Sequence, residues 1–352
     1  MVASMRRLIG ILATVALAAP LAASTPAHAA RPPRADLDWQ SVNVATDQQF
    51  RGLDAVSAKT AWVGGSNGGV WRTTDGGRTW TDVSPEGAEG LLFRDVEAKN
   101  HKVALVMSIG EGSDSRIYRT TDGGRSWTQT FVNDSPAAFY DCMAMWPGDK
   151  RGIAMSDPVD GKFRIISTRD GGASWQLVDP KGMPAAVDGE FGFAASGTCL
   201  VTDGTRDAYL ASGGTASRIF VTRDRGLTWS ARESTIPASA AGGVFSLAFR
   251  HGDGIAVGGD FEAPDNGVDM SARSRDGRTW RNGGDLSGYR SGVDWLSRDV
   301  AIAVGPTGSD VTRNGGRSWS PFSTVPLDAV QCVAKTCWGS GPAGTVVRLA
   351  RH

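Results

Sequence analysis

The sequence lacks an excess of charge of either sign, and it lacks the short motifs of several common enzyme classes. Its 352 residues include 37 basic and 37 acidic side chains, so the formal net charge is zero. A balanced chain creates no field that attracts nucleic acid or an anionic membrane surface, and neither is predicted as a partner. No Walker A or HExxH motif is present, and the many glycine pairs lie in hairpin-like segments instead of before helices.

Long helical and long apolar stretches are also scarce. No long amphipathic helical period occurs after residue 30, so a cofactor-bearing α/β domain has no place and no cofactor is predicted. The apolar run 8–23 is too short for a convincing membrane span. It follows Arg6-Arg7 and precedes Ala27-His28-Ala29, a small-x-small cleavage pattern. Residues 1–30 are therefore predicted to be a signal peptide, by either the general or the twin-arginine export route, and 31–352 a single secreted or periplasmic domain.

Histidine and cysteine are too few and too scattered for a metal site. No CxxC is present, and only His101 and His251 lie between the predicted signal peptide and the terminal residue, so no metal is predicted. An oxidising compartment permits disulfides instead. Cys332 and Cys337 are separated by four residues and are predicted to pair across a tight hairpin. Pairing of the other two cysteines, Cys142 and Cys199, stays open.

What the sequence does contain is a repeated octapeptide with a Thr-x-Asp-x-Gly-x-x-Trp pattern. Successive copies of its acidic position lie 38 to 54 residues apart, which is the length of a propeller blade. The fourth copy has Arg in place of the first Gly, the fifth is one residue short, and the sixth has Asn in place of Asp. The copies are Thr73–Trp80, Thr120–Trp127, Thr168–Trp175, Thr222–Trp229, Ser274–Trp280 and Thr312–Trp319.

The repeat has a mechanical interpretation as a turn. A carboxylate can accept hydrogen bonds from nearby backbone N–H groups, while Gly adopts the positive φ that other residues avoid. The Trp then packs at the start of the following strand. A short β-rich segment precedes each copy, which places the turn between the third and fourth strands of a blade. The acidic positions are therefore predicted to be structural: Asp75, Asp122, Asp170, Asp224, Asp276 and the substitute Asn314.

This pattern resembles the Asp-box of sialidase-like β-propellers. The segments Phe50–Val56 and Thr60–Gly65, followed by the first box, are similar to the blade signature of the photosystem II stability/assembly factor family. That resemblance implies an all-β, seven-bladed propeller. It also implies a protein-assembly role in photosynthetic relatives. Asp-boxes occur on glycosidases and on noncatalytic binding propellers alike, so the resemblance points to the fold more than to an activity.

A blade count from the sequence agrees with seven. The last blade, Leu327 to Leu349, has no Asp-box and only about three strands, and Leu37–Val44 is predicted to supply its missing outer strand and close the ring. The innermost strands are predicted at Phe50–Val56, Phe93–Glu97, Phe139–Trp146, Ser196–Thr202, Val244–Phe249, Tyr289–Trp295 and Leu327–Val333.

Function is expected at the end of the propeller opposite the Asp-boxes. The starts of the inner strands, the ends of the second strands and their connecting loops converge there around the central channel. Arginine forks suit carboxylate recognition, so this face is predicted to bind an anionic glycan, peptide or protein partner, with the protein as a monomer. The ligand-binding candidates are Arg51, Arg94, Tyr140, Asp141, Asp157, Glu190, Asp260 and Arg290.

The alternative is a glycoside hydrolase or lyase acting on acidic glycans. Three arginines with a Tyr and a Glu are the ingredients of a sialidase, and Asp157, Asp260 and Glu190 offer an acid and a base. The Arg-Ile-Pro signature of many sialidases is absent, and sialidases have six blades. No catalytic residue is assigned on this evidence.

Overall fold

The described chain forms a closed ring of antiparallel sheets. The computed structural model describes residues 37–148 and 150–351, so the predicted signal peptide lies outside the described residues. Seven sheets follow one another along the chain, and each contains a run of four hydrogen-bonded strands. The innermost strand of every blade contacts the innermost strand of the next blade, and the innermost strand of blade seven contacts that of blade one. The fold is a seven-bladed β-propeller, as the sequence predicted.

The strands run outward from the central channel in each blade. The chain begins with β1 (Leu37–Ser41), which belongs to the last blade. Blade one consists of β2 (Phe50–Ala55), β3 (Ala61–Gly65), β4 (Val70–Thr73) and β5 (Thr81–Asp82). Blade two consists of β6 (Leu92–Ala98), β7 (Ala104–Ile109), β8 (Arg116–Thr120) and β9 (Thr128–Val132), with a 3-10 turn at Gly112–Asp114. Blade three consists of β10 (Tyr140–Met145), β11 (Gly152–Val159), β12 (Lys162–Thr168) and β13 (Gln176–Leu177).

The remaining blades repeat this order, with one addition. A second 3-10 turn, Pro180–Gly182, and β14 (Glu190–Phe191) precede blade four, which consists of β15 (Leu200–Asp203), β16 (Asp207–Ala211), β18 (Arg218–Thr222) and β19 (Ser230–Glu233). Strand β17 (Gly213–Gly214) joins β14 to the inner edge of blade five, which consists of β20 (Gly242–Arg250), β21 (Asp253–Asp260), β22 (Ser271–Ser274) and β23 (Arg281–Gly284). Blade six consists of β24 (Gly292–Trp295), β25 (Ala301–Gly305), β26 (Gly308–Thr312) and β27 (Ser320–Ser323), and blade seven of β28 (Ala329–Val333), β29 (Thr336–Ser340), β30 (Val346–Arg351) and β1.

The two ends of the described chain meet in blade seven. Strand β1 pairs antiparallel with β30, with Trp39 opposite Leu349. The Trp39 indole N–H also donates to Ser309 Oγ of blade six at 3.0 Å. The predicted closure by an N-terminal strand is confirmed, and it leaves blade seven with the same four strands as the others.

Both faces of each blade are covered by neighbouring blades, and the strand sequences reflect this. Strands β3 and β7 are buried at every position, and so is β25. Continuous apolar runs of this kind fit a sheet whose two faces are both covered, whereas a half-solvated sheet alternates apolar and polar residues. The short outermost strand β5 is exposed at both of its residues. The core therefore lies between blades, near the channel.

The Asp-boxes form the turns that the sequence predicted. In blade one, Asp75 Oδ1 accepts from the Thr79 backbone N–H at 3.0 Å, and Asp75 Oδ2 accepts from the Thr79 hydroxyl at 2.7 Å. The Thr73 hydroxyl donates to Asp75 and accepts from Gly77 N. These bonds lower the pKa of Asp75 to about 2. Gly77 has a φ of +83°, and a Cβ there would lie 2.7 Å from Val42 Cβ, so only glycine fits.

The tryptophan of the Asp-box joins the hairpin to the blade before it in blades one, two and six. The Trp80 indole N–H donates to Val42 O at 2.8 Å, and the Trp127 indole N–H donates to Val83 O at 2.7 Å. Carboxylates on inner strands make a second set of links, in which Asp95 accepts from Met143 N and Asp294 accepts from Cys332 N, each at 2.6 Å. These groups hold blade to blade and are structural.

Two disulfides join elements near the channel. Cys332 and Cys337 are direct partners across β28 and β29 and form the predicted disulfide. Cys142 on β10 is bonded to Cys199, which directly precedes β15, so this disulfide ties blade three to blade four. The second pairing is the one that the spacing of the sequence left open.

Candidate functional site

A cavity of about 460 Å³ lies at the channel mouth, at the end of the propeller where the inner strands begin. Most of its residues come from the starts of inner strands, or the loops just before them, in five blades and from the loop that precedes blade four. Phe261, Pro306 and Pro342 come from loops that follow second strands. We call it the mouth cavity. It is lined by Gln49, Arg51, Arg94, Phe193, Ala194, Ala195, Phe245, Phe261, Tyr289, Pro306, Pro326, Leu327, Asp328 and Pro342.

A backbone irregularity directs side chains toward this cavity. The pairing of the first two strands shifts register at Arg51 in blade one, Arg94 in blade two, Asp141 in blade three and Phe245 in blade five. A β-bulge places one unpaired residue in a strand and re-aims its side chain. Because the bulge recurs at the same point of the inner strand, it brings residues from distant parts of the sequence to one mouth.

One wall of the mouth cavity is polar. Arg51 lies 3.5 Å from Asp328, and Gln49 Nε2 donates to the same carboxylate at 2.8 Å. Arg94 reaches across to donate from Nη1 to Ala194 O at 2.8 Å. Two cations therefore share one carboxylate among the residues that line the cavity, which leaves one positive charge without a partner carboxylate there.

Burial makes this excess charge costly. Burial and, to a lesser extent, the neighbouring Arg51 cation lower the pKa of Arg94 to about 10, with Asp328 and Asp141 opposing the change. Burial also raises the pKa of Asp328, opposed mainly by Arg51. The pKa of the Tyr289 hydroxyl is raised well above its ordinary value by burial, so this group stays a neutral hydrogen-bonding partner. The charged form of Arg94 is therefore destabilised in this cavity.

The other wall is aromatic. The rings of Phe193 and Phe245 stack with centroids 3.8 Å apart, and the Tyr289 ring meets Phe245 edge-on at 4.7 Å. Phe261 approaches both phenylalanines edge-on and is 51% exposed at the rim. Apolar walls beside a few convergent polar groups are typical of a binding site for a small ligand or a short peptide segment.

A pair of carboxylates lies beside the polar wall. Asp141 is 1% exposed, and its Oδ2 has no hydrogen-bond partner among the described residues. Asp157 accepts from Gly192 N at 2.7 Å. Burial, with repulsion from Asp157, holds the pKa of Asp141 well above its ordinary value, and burial raises the pKa of Asp157 to about 6. The two groups therefore hold at least one proton at mildly acidic pH.

This pair makes the stability of the protein depend on pH. The pKa of Asp157 is higher in the folded chain than in the unfolded chain, so its protonated form favours folding. We expect the free energy of unfolding to fall as pH rises from 4 to 7, by about 2–3 kcal/mol for Asp157. Asp157→Asn should remove this part of the dependence, measured by urea unfolding at each pH. Equal slopes in the two proteins would contradict the assignment.

The structure brings half of the eight candidate residues to the mouth. Arg51 and Arg94 line the cavity, and Asp141 and Asp157 lie beside its polar wall. Arg290 does not, because it is fully buried in blade six, where Nε donates to Asp310 Oδ2 at 2.7 Å and Nη1 donates to Thr307 Oγ1 at 2.9 Å. The arginine cluster that a sialidase-type site requires is therefore not formed.

The other three candidates also have structural partners elsewhere. Glu190 is buried and forms an ion pair with Arg218, and it accepts from the Ser212 hydroxyl at 2.5 Å. Tyr140 packs edge-on against Phe131 with centroids 5.0 Å apart. Asp260 accepts from Ser239 and from Glu262 N in the loop after β21. None of these residues lines the mouth cavity.

Several residues of the mouth cavity escaped the sequence analysis. Asp328 and Tyr289 lie at the starts of inner strands that the sequence did predict, so the rule that selected Arg51 would also have selected them. Phe193 lies in the loop before blade four, and no repeat or turn signal marks its position. The aromatic wall therefore had no sequence signature.

The described residues, 37–148 and 150–351, contain neither a cluster that could hold a metal ion nor a helix that could span a membrane. No group of three or more His, Cys, Asp or Glu side chains in this part of the chain is placed to hold a metal ion. No helix in the same ranges is long and apolar enough to cross a membrane.

The fold and its turns define the class: the protein is a seven-bladed Asp-box β-propeller. The family model described as Sortilin-Vps10 (Sortilin, neurotensin receptor 3) matches residues 68–187. A search of curated proteins found no match.

Solved structures similar to this chain include two of YCF48. YCF48 bound to a D1 peptide has a TM-score of 0.63 at 17% identity, over 88% of this chain and 96% of that one. YCF48 from Cyanidioschyzon merolae has a TM-score of 0.59 at 16% identity, over 88% and 98%. The GH74 enzyme of Niastella koreensis has a TM-score of 0.60 at 14% identity, over 88% of this chain and 53% of the enzyme. These likenesses establish a shared fold.

Proposed function

We propose that this propeller is a binding module that takes a peptide segment carrying a carboxylate into the mouth cavity. The observation that carries the proposal is the pairing of two arginines with a single carboxylate beside an aromatic wall. One ligand carboxylate would balance the remaining charge of Arg51 and Arg94. A neighbouring apolar side chain of the same peptide would pack on Phe193, Phe245 and Phe261.

The geometry suits a carboxylate ligand. A guanidinium group binds a carboxylate through two parallel N–H bonds, and such bonds are strong where water is excluded. Arg94 donates one N–H to Ala194 O, and within the described residues its guanidinium makes no other hydrogen bond. The cavity volume of about 460 Å³ suits a few residues of an extended chain.

The comparison with YCF48 agrees with a peptide ligand, since that protein has the same fold and was solved with a D1 peptide bound. We also propose that binding takes place outside the cytoplasm, with residues 1–30 removed as a signal peptide. Two disulfides within the described residues support this, because such bonds persist in oxidising compartments.

The test uses a set of short peptides, each ending in an aromatic residue with a free carboxylate, and their C-terminal amides. We expect the free acids to bind wild-type protein and Arg94→Gln to weaken that binding by about tenfold or more, because a charge-assisted bond contributes about 1.5–3 kcal/mol. Isothermal titration calorimetry measures both affinities. The difference in affinity between the acid and amide forms of a peptide should be far smaller for Arg94→Gln than for the wild type.

The matched control is Arg298→Gln, which removes an exposed arginine near the turn that follows β24. It should bind the peptides as the wild type does. If Arg94→Gln and Arg51→Gln both left affinity unchanged while the peptides still bound, the mouth cavity would not be the site. If no peptide in the set bound, a peptide ligand for this cavity would be ruled out within that set.

A second candidate, a glycoside hydrolase, is favoured by one observation. Asp141 and Asp157 form a carboxylate pair with raised pKa values, and a proton-sharing pair can supply an acid and a base. A GH74 enzyme also has this fold. Hydrolysis of polysaccharides or aryl glycosides by the wild type, abolished in Asp157→Asn, would establish it. Absence of turnover across neutral and acidic glycans would count against it.

A further inference from the structure

A second charged surface lies at the opposite end of the propeller, where blades five and six meet. A groove of about 420 Å³ there is lined by seven residues, of which four are arginines. Arg273 and Arg281 come from strands β22 and β23, Arg275 from the Asp-box of blade five, and Arg317 from the Asp-box of blade six. We call this surface the arginine groove. It shares no residue with the mouth cavity.

The arrangement of charge in the arginine groove is unfavourable in the unliganded protein. Arg273 and Arg281 are direct cross-strand partners, and like charges placed opposite each other destabilise a sheet. The pKa of Arg273 is lowered by burial and then by the neighbouring Arg317, Arg281 and Arg275 cations. The structure therefore concentrates four positive charges where folding alone would disperse them.

In the other blades with an Asp-box, the residue pair that corresponds to Arg273 and Arg281 does not bring two positive charges together. In the five other Asp-box hairpins the cross-strand partner at the equivalent position is neutral: Thr81, Thr128, Gln176, Ser230 and Ser320. Arg72 and Arg119 are the counterparts of Arg273 in blades one and two. Each donates to a backbone carbonyl in the Asp-box of the next blade, Gly123 O at 2.9 Å and Gly171 O at 2.8 Å.

Arg273 has no such partner. Within the described ranges its guanidinium makes no hydrogen bond or ion pair, and its Nε is buried and unpartnered. The single carboxylate of the groove, Asp276, is already engaged by the turn, where it accepts from Arg278 N and Thr279 N at 2.8 Å. The arginines of the groove therefore have no ion pair within the described protein.

We infer that the arginine groove binds a tetrahedral oxyanion, phosphate or sulfate, either free or as a monoester. Four guanidinium groups and one carboxylate leave a formal charge of three, which a single carboxylate ligand would balance only in part. A dianion with several acceptor oxygens accepts forks from more than one arginine at once. The chain as a whole has no net charge, so recognition depends on this local cluster.

The experiment titrates the protein with inorganic phosphate, inorganic sulfate, glycerol phosphate and acetate at constant ionic strength. We expect saturable binding of at least one tetrahedral anion, and acetate at least tenfold weaker. Tighter binding of glycerol phosphate than of inorganic phosphate would identify the monoester as the ligand, and the reverse order would identify the free ion. Binding of acetate as tight as that of every tetrahedral anion would overturn the inference.

Two variants distinguish anion binding in the arginine groove from anion binding to surface arginines elsewhere. Arg281→Gln should weaken anion binding tenfold or more while leaving the melting temperature without anion unchanged or higher, because it relieves the repulsion with Arg273. Arg278→Gln removes an exposed arginine of the same turn that does not line the groove, and it should bind as the wild type does. Unchanged binding by Arg281→Gln, or an equal loss in Arg278→Gln, would refute the site. Peptide binding at the mouth cavity should be the same in both variants.

Discussion

Replacing Arg290 with methionine should lower the free energy of unfolding by about 3–5 kcal/mol, the usual cost of leaving one member of a buried ion pair alone. Arg290 is fully buried, and it donates to Asp310, to Tyr289 O and to Thr307. Asp310 is also fully buried, and its Oδ1 already lacks a partner among the described residues. Without the guanidinium, the carboxylate would keep its burial and lose the cation that stabilises it.

Urea unfolding followed by tryptophan fluorescence measures this loss. The double variant Arg290→Met with Asp310→Leu should recover part of the stability, because removing both charges is far less costly than removing one. Arg298→Gln, which changes an exposed arginine close in sequence, should alter the free energy by no more than about 0.5 kcal/mol. A loss as small as that of Arg298→Gln would mean that the buried pair contributes little.

Removing the disulfide between blades three and four should cost more than removing the one in blade seven. Cys142 and Cys199 are 57 residues apart, whereas Cys332 and Cys337 are five apart. Closing the longer loop restricts the unfolded chain more, so we expect about 4 kcal/mol for the first pair and about 2 kcal/mol for the second. The comparison uses two double variants, each with both cysteines of one pair changed to alanine.

Both double variants are unfolded in urea without reductant, and each is compared with the wild type. The Cys332–Cys337 pair serves as the internal control, because its removal also changes two cysteines but opens only a very short loop. Equal losses for the two pairs would show that local packing, and not the length of the closed loop, sets the contribution of these disulfides.

The fold could be predicted from the sequence because its signals are local and repeated. Each Asp-box needs only eight neighbouring residues to form its turn, and six copies at blade-length spacing fix the order of the strands. The seventh blade has no box. Its closure could still be predicted, because the blade lacked one strand and the N-terminal segment supplied a strand with no other partner. The hydrogen bonds that the acidic side chain accepts in these turns span at most four residues, as between Asp75 and Thr79.

The site could be predicted only in part because its side chains are placed by long-range partners. The strand-start rule selected Arg51 and Arg94 correctly as residues near the channel, but it also selected Arg290. What separates Arg51 from Arg290 is where the partner lies. Asp328 lines the mouth cavity with Arg51, whereas Asp310, 20 residues from Arg290, holds Arg290 in blade six. Glu190 is withdrawn in the same way by Arg218, 28 residues away. Periodicity in the sequence carries no information about such pairs.

The closure of blade seven determines when the ring can form during synthesis. Among the strands of the propeller β1 is made before all others and its partner β30 after them, so β1 cannot pair until β30 has been made. Until then the chain is an open arc with a free edge at each end, and unpaired edges are the part of a β-protein most prone to aggregate. The propeller therefore gains its full cooperativity in one late event, when its two ends meet.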